Sequence, residues 1–278
     1  MKKNQPIGIF DSGVGGLTVL NEIVKLLPGE DIVYFGDTAR VPYGTKSPET
    51  VKNFAIENSL FLLEHNVKMI IAACNTVSSV AFPYLLRKVP VPVIDVLKPA
   101  VRKAVESSSS GRIGVIGTNA TIRSRAYEKQ ILRLSPKTKV FFQACPLFVP
   151  FVEEGFVSGK PLRDIVKIYL KGLKEKNIDT LVLGCTHYPL IKGEISRYMG
   201  KKVLLVDSAR TAAEDVKEVL KKRGALSGKK RGVIKYFVSD SPEMFKKCGE
   251  KFIGKKIFNV NVVKEEVSYV WSKCRRKF

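Results

Sequence analysis

The chain has 278 residues, 45% of them hydrophobic and 27% charged, and a formal net charge of +22, which is the make-up of a soluble globular protein with room for two compact domains. No apolar stretch reaches the roughly 18 residues that a bilayer span needs, and no apolar signal region precedes the first strand-like segment, so a cytoplasmic protein is expected. The five cysteines (Cys74, Cys145, Cys185, Cys248 and Cys274) are odd in number and form no C-x-x-C pair, which argues against a disulfide framework and a structural zinc site.

Residues 7–10 read as a strand, followed by the glycine-rich turn Asp11-Ser12-Gly13-Val14-Gly15-Gly16 and a helix to about Leu27, ended by Pro28-Gly29. The turn does not match a phosphate loop: Thr18 stands where G-x-G-x-x-G needs its last glycine, and no Gly-Lys-Ser/Thr follows. Asp11 at the strand tip would also repel a phosphate. Asp11-Ser12 suits an ammonium group and a hydrogen-bonding ligand, or it caps the helix; the local sequence supports both readings. A second strand, 31–36, leads into a loop offering Asp37, Pro42, Tyr43 and Gly44. Residues 47–65 form an amphipathic helix with Ser47 as its cap and Pro48 at its first position; His65 reads as a charge at the helix end. The third strand ends in Ala73-Cys74-Asn75-Thr76, and its following helix breaks near Val89-Pro90-Val91-Pro92 before a short strand at 93–96.

A second block follows the helix at 98–106 and repeats the first. Residues 112–121 are again strand, turn and helix start, now carrying Thr118 and Thr121, displaced by about 106 positions from Ile7. The strand at 139–143 and a loop over 150–155 with Glu153 answer the second strand and its loop. Leu181-Val182-Leu183-Gly184-Cys185-Thr186-His187 answers the Cys74 strand, displaced by 111 positions, and 203–207 is the fourth strand of this block. A helix at 212–223 follows. The strands at 233–238 and 257–263, with helices between and after them, are expected to add back to the first half. The fold class is therefore α/β, with two pseudo-symmetric doubly wound domains: 1–97 plus 208–278, carrying Cys74, and 98–207, carrying Cys185.

A lone cysteine is commonly a small core hydrophobe; the matching contexts of Cys74 and Cys185 single these two out. Each ends an apolar strand, where ligand sites of open α/β sheets lie, and each stands near a helix start whose partial positive charge favours thiolate below the usual pKa of about 8.5. Pseudo-twofold symmetry would put the two sulfurs on opposite sides of one small ligand in the interdomain cleft. One thiolate that removes a proton and one thiol that donates from the opposite face would invert a stereocentre, and no metal is called for. Removing a proton beside a carboxylate requires a dry site with donors for the developing charge. Ser12, Asn75, Thr76, Thr118 and Thr186 supply such groups at the strand ends.

Asp11-Ser12-Gly13-Val14-Gly15-Gly16, Val41-Pro42-Tyr43-Gly44, Ala73-Cys74-Asn75-Thr76 and Gly184-Cys185-Thr186-His187-Tyr188-Pro189 together resemble the signature segments of the glutamate racemase family, in the same order across nearly the whole chain. The resemblance implies two flavodoxin-like domains, usually in a homodimer, and cofactor-independent interconversion of L- and D-glutamate for peptidoglycan. It makes Cys74 the base toward D-glutamate and Cys185 the base toward L-glutamate, assisted by Asp11 and His187 respectively, with Asp37 and Glu153 as further site carboxylates. It makes Asp11, Ser12, Pro42, Tyr43, Gly44, Asn75, Thr76, Thr118, Thr121, Thr186 and His187 substrate contacts.

Two rivals remain at this stage. An aspartate or hydantoin racemase shares the two-thiol architecture, and side-chain length cannot be counted from these motifs. The other rival is a basic binding protein: residues 221–278 hold 17 Lys and Arg against 5 Asp and Glu, a surplus that attracts nucleic acid or acidic partners. The lysines are spread through amphipathic segments without an aromatic-interleaved RNA motif, which fits a solvated surface. Some members of the resembled family are thought to contact DNA gyrase, so nucleic-acid or gyrase contact stands as an alternative partner.

Overall fold

A computed structural model describes residues 1–263; the helix expected after the last strand, and Cys274, lie outside the described residues. The first half alternates β1 (Ile7–Asp11), α1 (Leu17–Leu26), β2 (Ile32–Gly36), α2 (Pro48–Glu64), β3 (Met69–Ala72), α3 (Asn75–Val80), α4 (Phe82–Lys88) and β4 (Val93–Asp95). After α5 (Leu97–Ser107) come β5 (Arg112–Gly117), α6 (Asn119–Arg123), α7 (Ala126–Leu134), β6 (Lys139–Ala144), α8 (Phe148–Glu153), α9 (Lys160–Glu175), β7 (Thr180–Gly184), α10 (Lys192–Met199) and β8 (Leu204–Asp207). The chain then runs through α11 (Ser208–Lys222), β9 (Ile234–Val238), α12 (Pro242–Ile253) and β10 (Val260–Val262).

The strands form two sheets, ordered β10-β9-β2-β1-β3-β4 and β6-β5-β7-β8, and every strand pair is parallel. Within each half the order is second, first, third, fourth, the flavodoxin-like winding, and β9 and β10 extend the first sheet beyond β2. In such a sheet the chain reverses direction of winding between its first and third strands, and a crevice opens beyond their carboxyl ends. Those ends are Asp11-Ser12 and Cys74 in one half, and Thr118 and Cys185 in the other. The fold therefore predicts the site before any side chain is placed.

Both sheets are covered on both faces, so their central strands are apolar throughout rather than alternating. Met69 and Ile71 of β3 face the cluster with Leu17, Leu20, Ala212 and Val216, whereas Ile70 and Ala72 face Val51, Ala55 and Leu62 of α2. In β7, Leu181 and Leu183 pack with Leu162, Val166 and Ile195, and Val182 packs with Ala100, Val101 and Ile131. Each such side chain contributes about 1.5–3 kcal/mol on burial, which fixes the strand ends carrying the cysteines. Among the described residues no helix is long and apolar enough to cross a membrane.

Two local expectations are corrected. The helical stretch after Cys74 ends at Lys88, next to the expected 89–92, but it is also interrupted at Ala81; Pro83, in the first turn of α4, has no N–H to continue α3. Residues 150–153 belong to α8 rather than to a loop, because Pro150 sits in the first turn, where its missing donor costs nothing.

Candidate active site

Cys74 follows β3 and Cys185 follows β7, and both line one small cavity together with Ser12, Pro42, Tyr43, Gly44, Asn75, Thr76, Thr118, Thr186 and His187. Val41 and Val149 complete the lining; neither carries a polar group that sequence reasoning could have picked out.

The glycine-rich first turn serves close approach. A Cβ on Gly15 would lie 2.4 Å from Thr186 Oγ1 and 2.5 Å from His187 Cε1, so only glycine lets α1 meet the turn after β7. Gly44 plays the same part in reverse, since its Cβ would lie 2.5 Å from Cβ of Thr118. Thr18 ties the same junction: its hydroxyl is 3.0 Å from the Thr186 carbonyl.

The surroundings of the two sulfurs differ. Cys185 Sγ lies 3.8 Å from His187 Nδ1, and His187 Nε2 lies 3.0 Å from Glu153 Oε1. Burial opposes the charge on His187, but the contacts to Cys185 and Glu153 outweigh it and push the imidazole up to about 10. At neutral pH the ring is therefore an imidazolium, donating from both nitrogens, between a carboxylate and a sulfur. Cys74 Sγ has Ser12 Oγ at 3.9 Å, and burial, followed by the nearby Asp11 charge, pushes this thiol up to about 12. The expectation of a depressed thiol at this helix start is thus corrected. Removal from water outweighs the backbone N–H of Val77, and Cys74 rests protonated.

Asp11 is fully buried; its Oδ2 accepts from the N–H groups of Gly13 (3.1 Å) and Gly16 (3.0 Å), while Oδ1 has no partner. Burial raises this carboxyl to about 6, against the lowering influence of His187 and the backbone donors. Asp11 thus bonds the turn leading into α1 and stands behind the residues that line the cavity, with its second oxygen unpaired.

Thr76, Thr118 and Thr121 form a triangle of hydroxyls joining the halves: Thr76 Oγ1 is 3.0 Å from Thr118 Oγ1 and 3.4 Å from Thr121 Oγ1. Thr118 also caps α6 by accepting from the Thr121 N–H at 3.2 Å. Thr121 supports the cavity from behind and does not line it. Asp37 also stands behind the wall. It accepts from the Tyr43 hydroxyl, from Arg40 Nε at 2.7 Å and from Ser239 Oγ at 3.0 Å, so its oxygens are spent on bracing Tyr43. Glu153 faces a neighbouring cavity and reaches the site only through His187. Sequence reasoning missed Tyr127 and Ser208, which hold Asn75 from outside, and Arg40, which holds Asp37 behind Tyr43; no motif marked them.

The model of the Asp/Glu/Hydantoin racemase family matches residues 7–216, and the chain belongs to that family. Over 94% of its length it is 50% identical to a glutamate racemase of Geobacter metallireducens, covering 97% of that protein. The crystal structure of glutamate racemase from Francisella tularensis in complex with D-glutamate superposes with a TM-score of 0.89 at 41% identity, over 94% of this chain and 98% of that one. An aspartate racemase homologue from Pyrococcus horikoshii shares the fold, with a TM-score of 0.57 at 18% identity over 78% of this chain and 99% of that one.

Proposed function

We propose that the protein is a glutamate racemase that interconverts L- and D-glutamate with two cysteines and no cofactor, and supplies D-glutamate for peptidoglycan. The observation that carries this reading is the pair Cys74 and Cys185 on one small cavity, the first a thiol and the second beside an imidazolium. The identity of 50% to a glutamate racemase over nearly the full length supports glutamate over aspartate.

In the forward reaction Cys185, with the His187 cation 3.8 Å from its sulfur, is the base that removes the α-proton of L-glutamate. Cys74 delivers its proton to the opposite face of the same carbon, and D-glutamate results. The proton count closes within the site: Cys185 gains one proton, Cys74 loses one, and exchange with solvent resets the pair. For D-glutamate the roles reverse, with Asp11 assisting Cys74. Charge that develops on the substrate carboxylate meets donors from Ser12, Asn75, Thr76, Thr118 and Thr186. The family resemblance extends the reading to a cytoplasmic homodimer, which sedimentation of the purified protein would test.

The activity test is the decay of the circular dichroism of pure L-glutamate on adding purified protein without pyridoxal phosphate, with L-aspartate run in parallel. Decay with glutamate alone is expected. Decay with aspartate alone, or with neither amino acid, would overturn the assignment.

A further inference from the structure

Asn75 lines the cavity, but the hydrogen-bonding face of its amide is set from outside. The Leu183 carbonyl can only accept, and Ser208 Oγ, 3.3 Å away, gives its proton to it. Ser208 Oγ can then only accept from Asn75, and the atom it meets at 3.3 Å is Nδ2. That orientation turns Oδ1 toward the Tyr127 hydroxyl, 2.6 Å away, which must donate. One N–H of Nδ2 goes to Ser208, which leaves the second for the cavity. In the opposite flip Tyr127 could still accept from Nδ2, but Oδ1 would face a Ser208 oxygen whose proton is already given to Leu183, so that contact would be lost and an acceptor presented to the ligand.

Tyr127 is suited to this part. It is 1% exposed and sits in the first turn of α7, packed with Ile113, Val115 and Ile131 on the second sheet, whereas Asn75 begins α3 on the first. Arg125, in the left-handed region at φ 55°, turns the chain between α6 and α7 immediately before it. Burial holds the Tyr127 phenol well above its usual range, so it remains a donor at any working pH.

We propose that Tyr127, with Ser208, is a positioning residue that fixes the Asn75 amide so that an N–H faces a carboxylate of the bound amino acid. This rests on the racemase reading, since it assumes that the ligand of the cavity carries carboxylates. An amide free to flip presents the wrong dipole part of the time, and a lost hydrogen bond to a charged group is worth about tenfold in affinity.

The test uses the full chain with Tyr127→Phe, Asn75→Ala and the double variant, reading kcat and KM for both enantiomers and the Kd of glutamate by calorimetry. Tyr127→Phe is expected to raise KM and Kd about tenfold with kcat within about threefold, and to add nothing in the Asn75→Ala background. Unchanged KM and Kd in Tyr127→Phe would overturn the proposal, as would a rise that persists in full without Asn75. If Tyr127→Phe does not fold, Ser208→Ala serves in its place with the same expected pattern, and an unaltered Kd there overturns the proposal. Absence of racemisation by the wild type would instead strike the racemase reading, and Kd still reads the amide contact.

Discussion

His187 Nε2 lies 3.0 Å from Glu153 Oε1, and this contact joins the α8 helix to the turn that carries Cys185. The carboxylate does not touch the cavity, yet it helps keep the ring cationic and the other nitrogen pointed at sulfur. Metal-free proton chemistry at neutral pH depends on such a neighbour, because a sulfur in a dry cavity is otherwise held as thiol.

The two enantiomers have equal free energy, so kcat/KM must stay equal in both directions for every variant. Asymmetry is visible only in kcat and KM taken separately. His187→Asn is expected to lower kcat for L-glutamate by about 100-fold, and kcat for D-glutamate by less, with KM shifting in step. Glu153→Gln should follow the same pattern more weakly. Equal loss of both kcat values would make His187 a substrate contact.

Cys74→Ala and Cys185→Ala should each lower racemisation by about 1,000-fold or more, since each removes one of the two proton-transfer groups. Both sulfurs lie in the cavity wall, so melting temperatures should move by only a few degrees. Full activity in either variant, read by circular dichroism, would take that thiol out of the reaction.

The pH dependence follows from Asp11 and His187. The kcat/KM profile reports the free enzyme, so activity should fall below about pH 6 as Asp11 takes up its proton and above about pH 10 as His187 loses one. Asp11→Asn should erase the acidic limb along with much of the activity. Stability moves the other way for Asp11. A raised carboxyl holds its proton more tightly when folded, so its contribution is present below about pH 3.8 and lost as pH rises through about 6. Asp11→Asn should therefore be the more stable protein at pH 7, by about 1–3 kcal/mol in denaturant titration. For His187 the contribution is present below about pH 6.5 and is lost as pH rises through about 10.

Gly15→Ala would drive a methyl group into Thr186 and His187, and is expected to cost about 1–3 kcal/mol in stability and at least tenfold in kcat/KM. Gly193→Ala, within α10 and with nothing within 4 Å of the added carbon, is the control; it should be neutral or stabilising by up to about 1 kcal/mol. Similar effects at both positions, measured by thermal melts and initial rates, would remove the close-approach account of the glycine-rich turn.

Much of this arrangement is legible in the chain because the halves repeat. Cys74 and Cys185 stand out since both end apolar strands, and that placement follows from periodicity alone. The glycine-rich turn could be dismissed as a phosphate site from its missing residues. What it accommodates, the side chains of Thr186 and His187, lies more than 170 positions away and has no local signal. Asp37 illustrates the same limit. Its position after a strand marks it as a site carboxylate, but Arg40, Tyr43 and Ser239 enclose it, and enclosure is a property of three-dimensional neighbours. The protonation of Cys74 is hidden from the sequence for a related reason. A helix start can be read from sequence, whereas the depth of burial that overrides it cannot.

The most direct test of two sulfurs acting on opposite faces is racemisation of L-glutamate in deuterated water, followed at low conversion by mass and chirality together. The D-glutamate formed should carry deuterium at Cα from Cys74, while the recovered L-glutamate remains protiated. Deuterium entering the recovered L-glutamate as fast as D-glutamate appears would mean that one group both takes and returns the proton, and would contradict the account.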